Sequence, residues 1–206
     1  MSRPMFFSSL AVTAALILLA SSAVMAQDKP AYKPFDFGLS AGMIMPGGIY
    51  IGIADEQVVT SASPFFKAHV DAYIVEKLAM GLYVSYLKLS LDHWKGSTAV
   101  IPDAYNGVTG FEIGCAIKPC FWLNDQVALK PALEIGYRRM SLDYIADDEN
   151  ASVNGMALGG NLALKFKAGA VSPFVDGGII SQPVGGNDYT SVSFAPIFAL
   201  SGGIEF

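Results

Sequence analysis

Apolar and polar residues alternate with a period of two in eight separate stretches of the chain. In the first, Phe35, Phe37, Leu39, Ala41, Met43 and Met45 are apolar, while Asp36, Gly38, Ser40 and Gly42 fill the places between. That period belongs to a β-strand with two unlike faces. The second stretch sets Phe66, Ala68, Val70, Ala72 and Ile74 against Lys67, His69 and Asp71. The third sets Leu87, Leu89 and Leu91 against Lys88, Ser90 and Asp92, although Ser85 interrupts its apolar row. The fourth opposes Phe111, Ile113, Cys115 and Ile117 to Glu112, Gly114, Ala116 and Lys118. The fifth opposes Leu129, Leu133, Ile135 and Tyr137 to Lys130, Glu134, Gly136 and Arg138. Next come Leu158, Leu162, Leu164 and Phe166 against Asn161, Ala163, Lys165 and Lys167, and a short stretch with Pro173, Val175 and Ile179 against Asp176 and Gly178. The last runs Phe198, Leu200, Gly202, Ile204, Phe206 on one face and Ile197, Ala199, Ser201, Gly203, Glu205 on the other.

A soluble sandwich would also alternate, with its polar face in water. Here that polar face is rich in Gly, Ala and Ser, which is what the inside of a narrow barrel requires. The connections carry a second signal. Long segments (46–64, 93–108, 140–153, 181–192) alternate with the short "VEKLA", "CFWLNDQ" and "AGAV". Outer-membrane barrels have short periplasmic turns and longer outside loops. Aromatic residues then sort into two belts, Phe37, Tyr83, Phe121, Phe166 and Phe206 at the periplasmic ends and Phe66, Phe111, Tyr137 and Phe198 at the outer ends. The expectation is an all-β fold over 35–206: an eight-stranded antiparallel up-and-down transmembrane β-barrel, with strands of roughly 9–11 residues. Pro119, Pro131, Pro173 and Pro196 lie in or beside strands and cannot donate to a ladder, so they must sit near strand ends or bulges.

Composition sharpens this. Charged residues make up 15% of the chain, against roughly 25% in ordinary soluble domains. No second apolar run beyond the N-terminus is long enough for a spanning helix. At the N-terminus, Arg3 precedes an uncharged apolar stretch ending in Val24-Met25-Ala26, the order of a secretory signal peptide. Residues 1–26 are therefore read as a signal peptide cleaved near Ala26 and 27–34 as a periplasmic segment. Cys115 and Cys120, five residues apart on a strand, would lie about 16 Å from each other, too far for a disulfide. Two unpaired thiols are expected.

The eight amphipathic stretches, the leader and the terminal "GGIEF" resemble the OmpA/OmpX-type eight-stranded outer-membrane barrels of Gram-negative bacteria. The resemblance covers about residues 35–206. It implies that Phe198, Leu200, Ile204 and Phe206 form a C-terminal signal read by the barrel-assembly machinery, with Gly202 departing from the apolar pattern. It also implies location in the outer membrane, among outer-membrane lipid and lipopolysaccharide.

Chemistry is sparse. The two histidines, His69 and His93, lack a His-x-Ser motif with a following Glu, as a lipid-modifying barrel enzyme would need. Asp92 and His93 are adjacent and should point to opposite faces of a strand. No phosphate loop, nucleotide fingerprint or metal spacing occurs, and "DYIADDENAS" lacks the alternating ligands and Gly of an EF-hand. The expectation is no enzyme, no cofactor and no metal. The outer segments are acidic (Asp55, Glu56, Asp103, Asp143, Asp147, Asp148, Glu149 and Asp188), which disfavours nucleic acid and suits basic partners or cation-bridged lipopolysaccharide.

Inward positions should carry a polar network of Lys67, His69, Asp71, Lys88, Glu112, Lys130, Glu134, Arg138, Lys165 and Asp176, joined by Asp36, Lys118, Glu205, Lys167 and Asp92. Buried charges need partners, so these should pair along the axis. Two functions fit: a monomeric barrel serving envelope integrity or surface interaction through its loops, or a narrow passive channel for small solutes.

Overall fold

The computed structural model describes residues 34–51, 56–96, 107–142, 152–168, 170–186 and 191–206. The expected signal peptide and the acidic segment 143–149 lie outside the described residues. Among the described residues eleven strands form: β1 (Phe35–Ile44), β2 (Gly48–Ile51), β3 (Glu56–Thr60), β4 (Ser63–Val75), β5 (Leu78–Trp94), β6 (Gly107–Pro119), β7 (Phe121–Trp122), β8 (Val127–Leu142), β9 (Ser152–Phe166), β10 (Ser172–Gly186) and β11 (Val192–Glu205). All pair antiparallel. β1 pairs with β4, and the pairing runs on through β5, β6, β8, β9, β10 and β11 back to β1. The eight long strands thus close a ring, which removes the unpaired edges that an open sheet would expose.

The segment 46–64, expected as a loop, is mostly strand. β2 and β3 pair with each other and also with β11 and β5, so this hairpin prolongs the β1–β4 ladder above a break at 45–47. Thr60 ties the break: its N–H donates to the Gly47 carbonyl at 2.8 Å, and its Oγ1 accepts from Gly47 N–H at 3.1 Å. The long strands also exceed the expected length, with 17 residues in β5, 16 in β8 and 15 in the supposedly short β10. They run on because their far ends pack against an apolar cluster inside the ring.

The outer face is apolar. Phe37, Leu39, Leu82, Ile113, Leu133, Ile135, Val175, Leu200 and Ile204 are all exposed. A soluble monomer rarely shows a contiguous apolar surface of this extent, and a lipid-facing barrel must. Phe66, Phe111, Tyr137 and Phe198 face outward, as do Phe37, Phe166 and Phe206. Tyr83 and Phe121 do not: they are buried at 3% and 5% exposure. Phe206 is held in place, its N–H donating to the Phe37 carbonyl at 2.9 Å and the two rings lying 6.4 Å apart.

On β5 the expected parity is reversed. Leu87, Leu89 and Leu91 are buried, while Lys88 and Asp92 are exposed. The reason is a cluster on the inner wall at the end bearing the long connections. There Ile44, Ile49, Val58, Leu87, Leu89, Leu91, Val108, Met140, Val153, Val192, Phe194, Ile197 and Ala199 pack together as a buried apolar core. Apolar residues point inward wherever the interior is apolar, so charge alone misassigned that half of the strand.

The prolines sit where ladders break. Pro131 falls between Leu133, where β8 stops pairing with β6, and Leu129, where it starts pairing with β7. Pro119 ends β6, and Pro173 is the second residue of β10. Pro183 and Pro196 lie at register shifts in β10 and β11.

Candidate functional site

Below the apolar core, the interior is charged. The short-turn end brings together Asp36, Asp71 and Glu205. Asp36 and Asp71 stand directly opposite in the β1–β4 register, an arrangement of like charges that is unfavourable by itself. Three lysines from the far wall answer it. Lys130 Nζ donates to both oxygens of Glu205 at 2.9 and 3.0 Å and approaches Asp71 at 3.4 Å and Asp36 at 3.5 Å. Lys165 Nζ reaches Asp36 at 2.7 Å and Glu205 at 2.6 Å. Lys118 Nζ lies 2.8 Å from Asp71 Oδ1. Tyr73 O–H donates to Asp36 at 2.8 Å, and His69 Nε2 is 3.2 Å from Glu205 and 3.7 Å from Asp71.

His69, Asp71 and Glu205 hold potential ligand atoms within 4.8 Å of one another. As a metal site this set does not fit, because Lys130 places its ammonium against both carboxylates, where a cation would have to sit.

A second layer lies nearer the middle. Lys67 Nζ bridges both oxygens of Glu134, and Asn161 Nδ2 donates to Glu134 at 2.9 Å. Arg138 donates to Glu112 Oε2 from Nε at 3.0 Å and from Nη2 at 2.6 Å. Tyr83 O–H donates to the other oxygen of Glu112, and the Lys67 ammonium rests 4.6 Å from the Tyr83 ring centre. Gly114 makes room for that ring, since a Cβ there would come within 2.5 Å of it and of the Ile135 carbonyl. Asp176, half-buried, accepts from Ser201 Oγ at 2.7 Å. Arg138 Nη1 has no hydrogen-bond partner among the described residues, and its guanidinium lies 5.4 Å from the Phe194 ring at the floor of the apolar core.

Of the expected network, Lys67, His69, Asp71, Glu112, Lys130, Glu134, Arg138, Lys165 and Asp176 line this interior. Lys88 does not; it stands outside with Asp92, and Lys167 is exposed beyond the end of β9. Tyr73, Tyr83, Ser85 and Asn161 also join the network, and the apolar core above it was missed. Aromatic hydroxyls on an inward position were the available signal for the tyrosines. Among the described residues the network borders two small cavities, one of about 30 Å³ beside Arg138 and one of about 20 Å³ beside Ser40 and His69. Each suits one or two waters.

Elsewhere, Asp92 and His93 were expected to diverge, but His93 Nδ1 lies 3.1 Å from Asp92 Oδ2 at the exposed end of β5. Both cysteines are free, Cys115 facing outward and Cys120 buried. Burial pushes the Cys120 thiol up, away from its reactive thiolate. No helix among the described residues is long and apolar enough to cross a membrane, which says nothing about strands.

Neither the protein-family models nor the curated proteins contain a match to the sequence. In shape the chain is similar to the crystal structure of Neisserial surface protein A, with a TM-score of 0.52 at 13% identity, covering 85% of this chain and 98% of that one. The fold is that of a small outer-membrane β-barrel. Looser likenesses join this barrel to Ail of Yersinia pestis, at TM-score 0.45, 13% identity and coverage of 84% and 100%. The N-terminal β-barrel domain of Pseudomonas aeruginosa OprF follows at 0.44, 12% identity and coverage of 84% and 98%. At 13% identity the likeness to Neisserial surface protein A is one of fold alone.

Proposed function

We propose that this protein is a sealed, monomeric barrel of the Gram-negative outer membrane that serves envelope integrity or surface interaction through its outer loops. The observation that carries this reading is the filled interior. An ion-paired network occupies the short-turn half, and a buried apolar core caps it at the other end. A passive channel for solutes needs a continuous wet path, and a packed apolar layer above two cavities that each hold one or two waters does not supply one. With the interior occupied, the loops and the outer wall are left to meet partners. The acidic loop segments suit basic partners or cation-bridged lipopolysaccharide.

The test is conductance of the purified, refolded chain in a planar bilayer. The expected outcome is no steady single-channel current. Large, stable currents would overturn the sealed reading and promote the channel.

A further inference from the structure

The outward position of Lys88 leads to a site. On β5 the outward row runs Leu82, Val84, Tyr86, Lys88, passing from apolar to aromatic to cationic. Arg139 is the second outward cation, placed on β8 directly opposite Phe111 of β6. Only β6 separates the two strands, so the Lys88 and Arg139 backbones are about 10 Å apart sideways. Thr109 pairs with Lys88, Ser141 pairs with Thr109, and Asn154 pairs with Arg139. Lys88, Thr109 and Ser141 therefore stand in the row next above Tyr86 and Phe111, with Arg139 at the end of the Tyr86–Phe111 row, two residues along the strand from the level of Lys88. Neither cation forms an ion pair with a carboxylate among the described residues.

Beneath these residues the outer wall is not smooth. A groove of about 560 Å³ crosses β11, β1, β4, β5 and β6. Its floor is small: Gly202 pairs with Ala41 across β11 and β1, and Ala68 lies on the neighbouring β4. Its walls are Phe66, Tyr86 and Phe111, joined in one lateral row because Phe66 pairs with Tyr86 and Tyr86 with Phe111. Gly202 is the one residue that breaks the apolar row of the C-terminal strand, and the groove gives that break a role.

We infer that the groove and the two cations together form a binding site for one lipid A molecule of the outer leaflet, with an acyl chain in the groove and a phosphate between Lys88 and Arg139. The chemistry is complementary at both ends. A slot in the lipid-facing wall takes a hydrocarbon chain. Cations at the interface level, where a charged side chain costs little, attract an anionic headgroup. Thr109, Ser141 and Asn154 add hydroxyl and amide groups suited to a sugar. The site rests on the outer-membrane placement proposed above and is independent of any role for the loops.

The experiment is native mass spectrometry of the refolded full-length chain in detergent micelles, titrated with Kdo2-lipid A. The comparison is the double variant Lys88→Gln/Arg139→Gln, whose outward positions leave the interior intact; folding is checked by heat-modifiable migration. The expected result is a one-to-one adduct with the wild type, weakened about tenfold in the double variant. Dephosphorylated lipid A should bind the wild type no better than the double variant binds Kdo2-lipid A. Ala68→Phe, which fills the groove, should weaken the adduct with both cations in place; should it not fold, the charge variant decides. Equal binding by wild type and double variant overturns the proposal. So does a wild type that holds phosphatidylglycerol or inorganic phosphate as tightly as lipid A. A sealed, non-conducting barrel would survive either result.

Discussion

Arg138 shows what a single buried charge commits the molecule to. It is 1% exposed, holds Glu112 by two donors, and leaves Nη1 against the apolar core. Arg138→Ala should cost about 3–5 kcal/mol, because Glu112 would remain buried with only Tyr83 and Ser85 to bond it. Arg138→Met combined with Glu112→Gln should recover much of that loss, since the uncompensated charge is gone. Urea unfolding midpoints in lipid vesicles check both; equal midpoints for the single and double variants would contradict the pairing. The same reasoning reaches the thiols. Cys115 should react with a membrane-partitioning maleimide in the folded barrel, whereas buried Cys120 should react only after unfolding.

At the scale of the strand, seven of the eight alternating stretches carry the inward and outward sides that their residues announce, save Lys167, which lies exposed past the end of β9. Asp36, Lys67, Glu112, Lys130 and Arg138 stand inward in every such strand, because within the membrane only the interior can solvate a charge. β5 escaped this logic. Its distal half has apolar neighbours inside and no hydrocarbon outside, so Leu89 belongs within and Lys88 without. The partners of Leu89 arrive from strands distant in sequence, such as Ile49 and Phe194, and no local period reveals them. Leu89→Ala should therefore cost about 2–5 kcal/mol, while Lys88→Leu should change the unfolding midpoint little. Leu133→Arg, on the lipid side of β8, should cost about 2–4 kcal/mol, and Ala132→Ser, on the inner side, much less. The ion-pair partners were legible only as a list of inward charges; which lysine meets which carboxylate depends on the closed ring.

For the whole molecule, the order of layers matters more than any one contact. Five inward cations (Lys67, Lys118, Lys130, Arg138, Lys165) face six inward carboxylates (Asp36, Asp71, Glu112, Glu134, Asp176, Glu205), with His69 among them. This near balance holds the lower half together, and the apolar layer closes the upper half. Replacing Leu89 and Phe194 together by Ser should wet that layer and raise bilayer conductance more than breaking the Lys67–Glu134 pair alone. Topology is tested separately: an epitope inserted at Ser97 or Asn150 should label on intact cells, and labelling only after the outer membrane is breached would reverse the barrel.

The bond from Phe206 N–H to the Phe37 carbonyl joins residues at opposite ends of the barrel domain. The β1–β11 seam that it completes is the most non-local pairing in the ring, so loop-closure entropy falls most heavily on this last step. Until β11 pairs with it, β1 has one open flank and cannot be satisfied in hydrocarbon. A chain shortened by its final strand would thus lose more than one-eighth of the wall. It would lose the moment at which the other seven strands become a membrane protein, and would remain an open sheet with two adhesive edges.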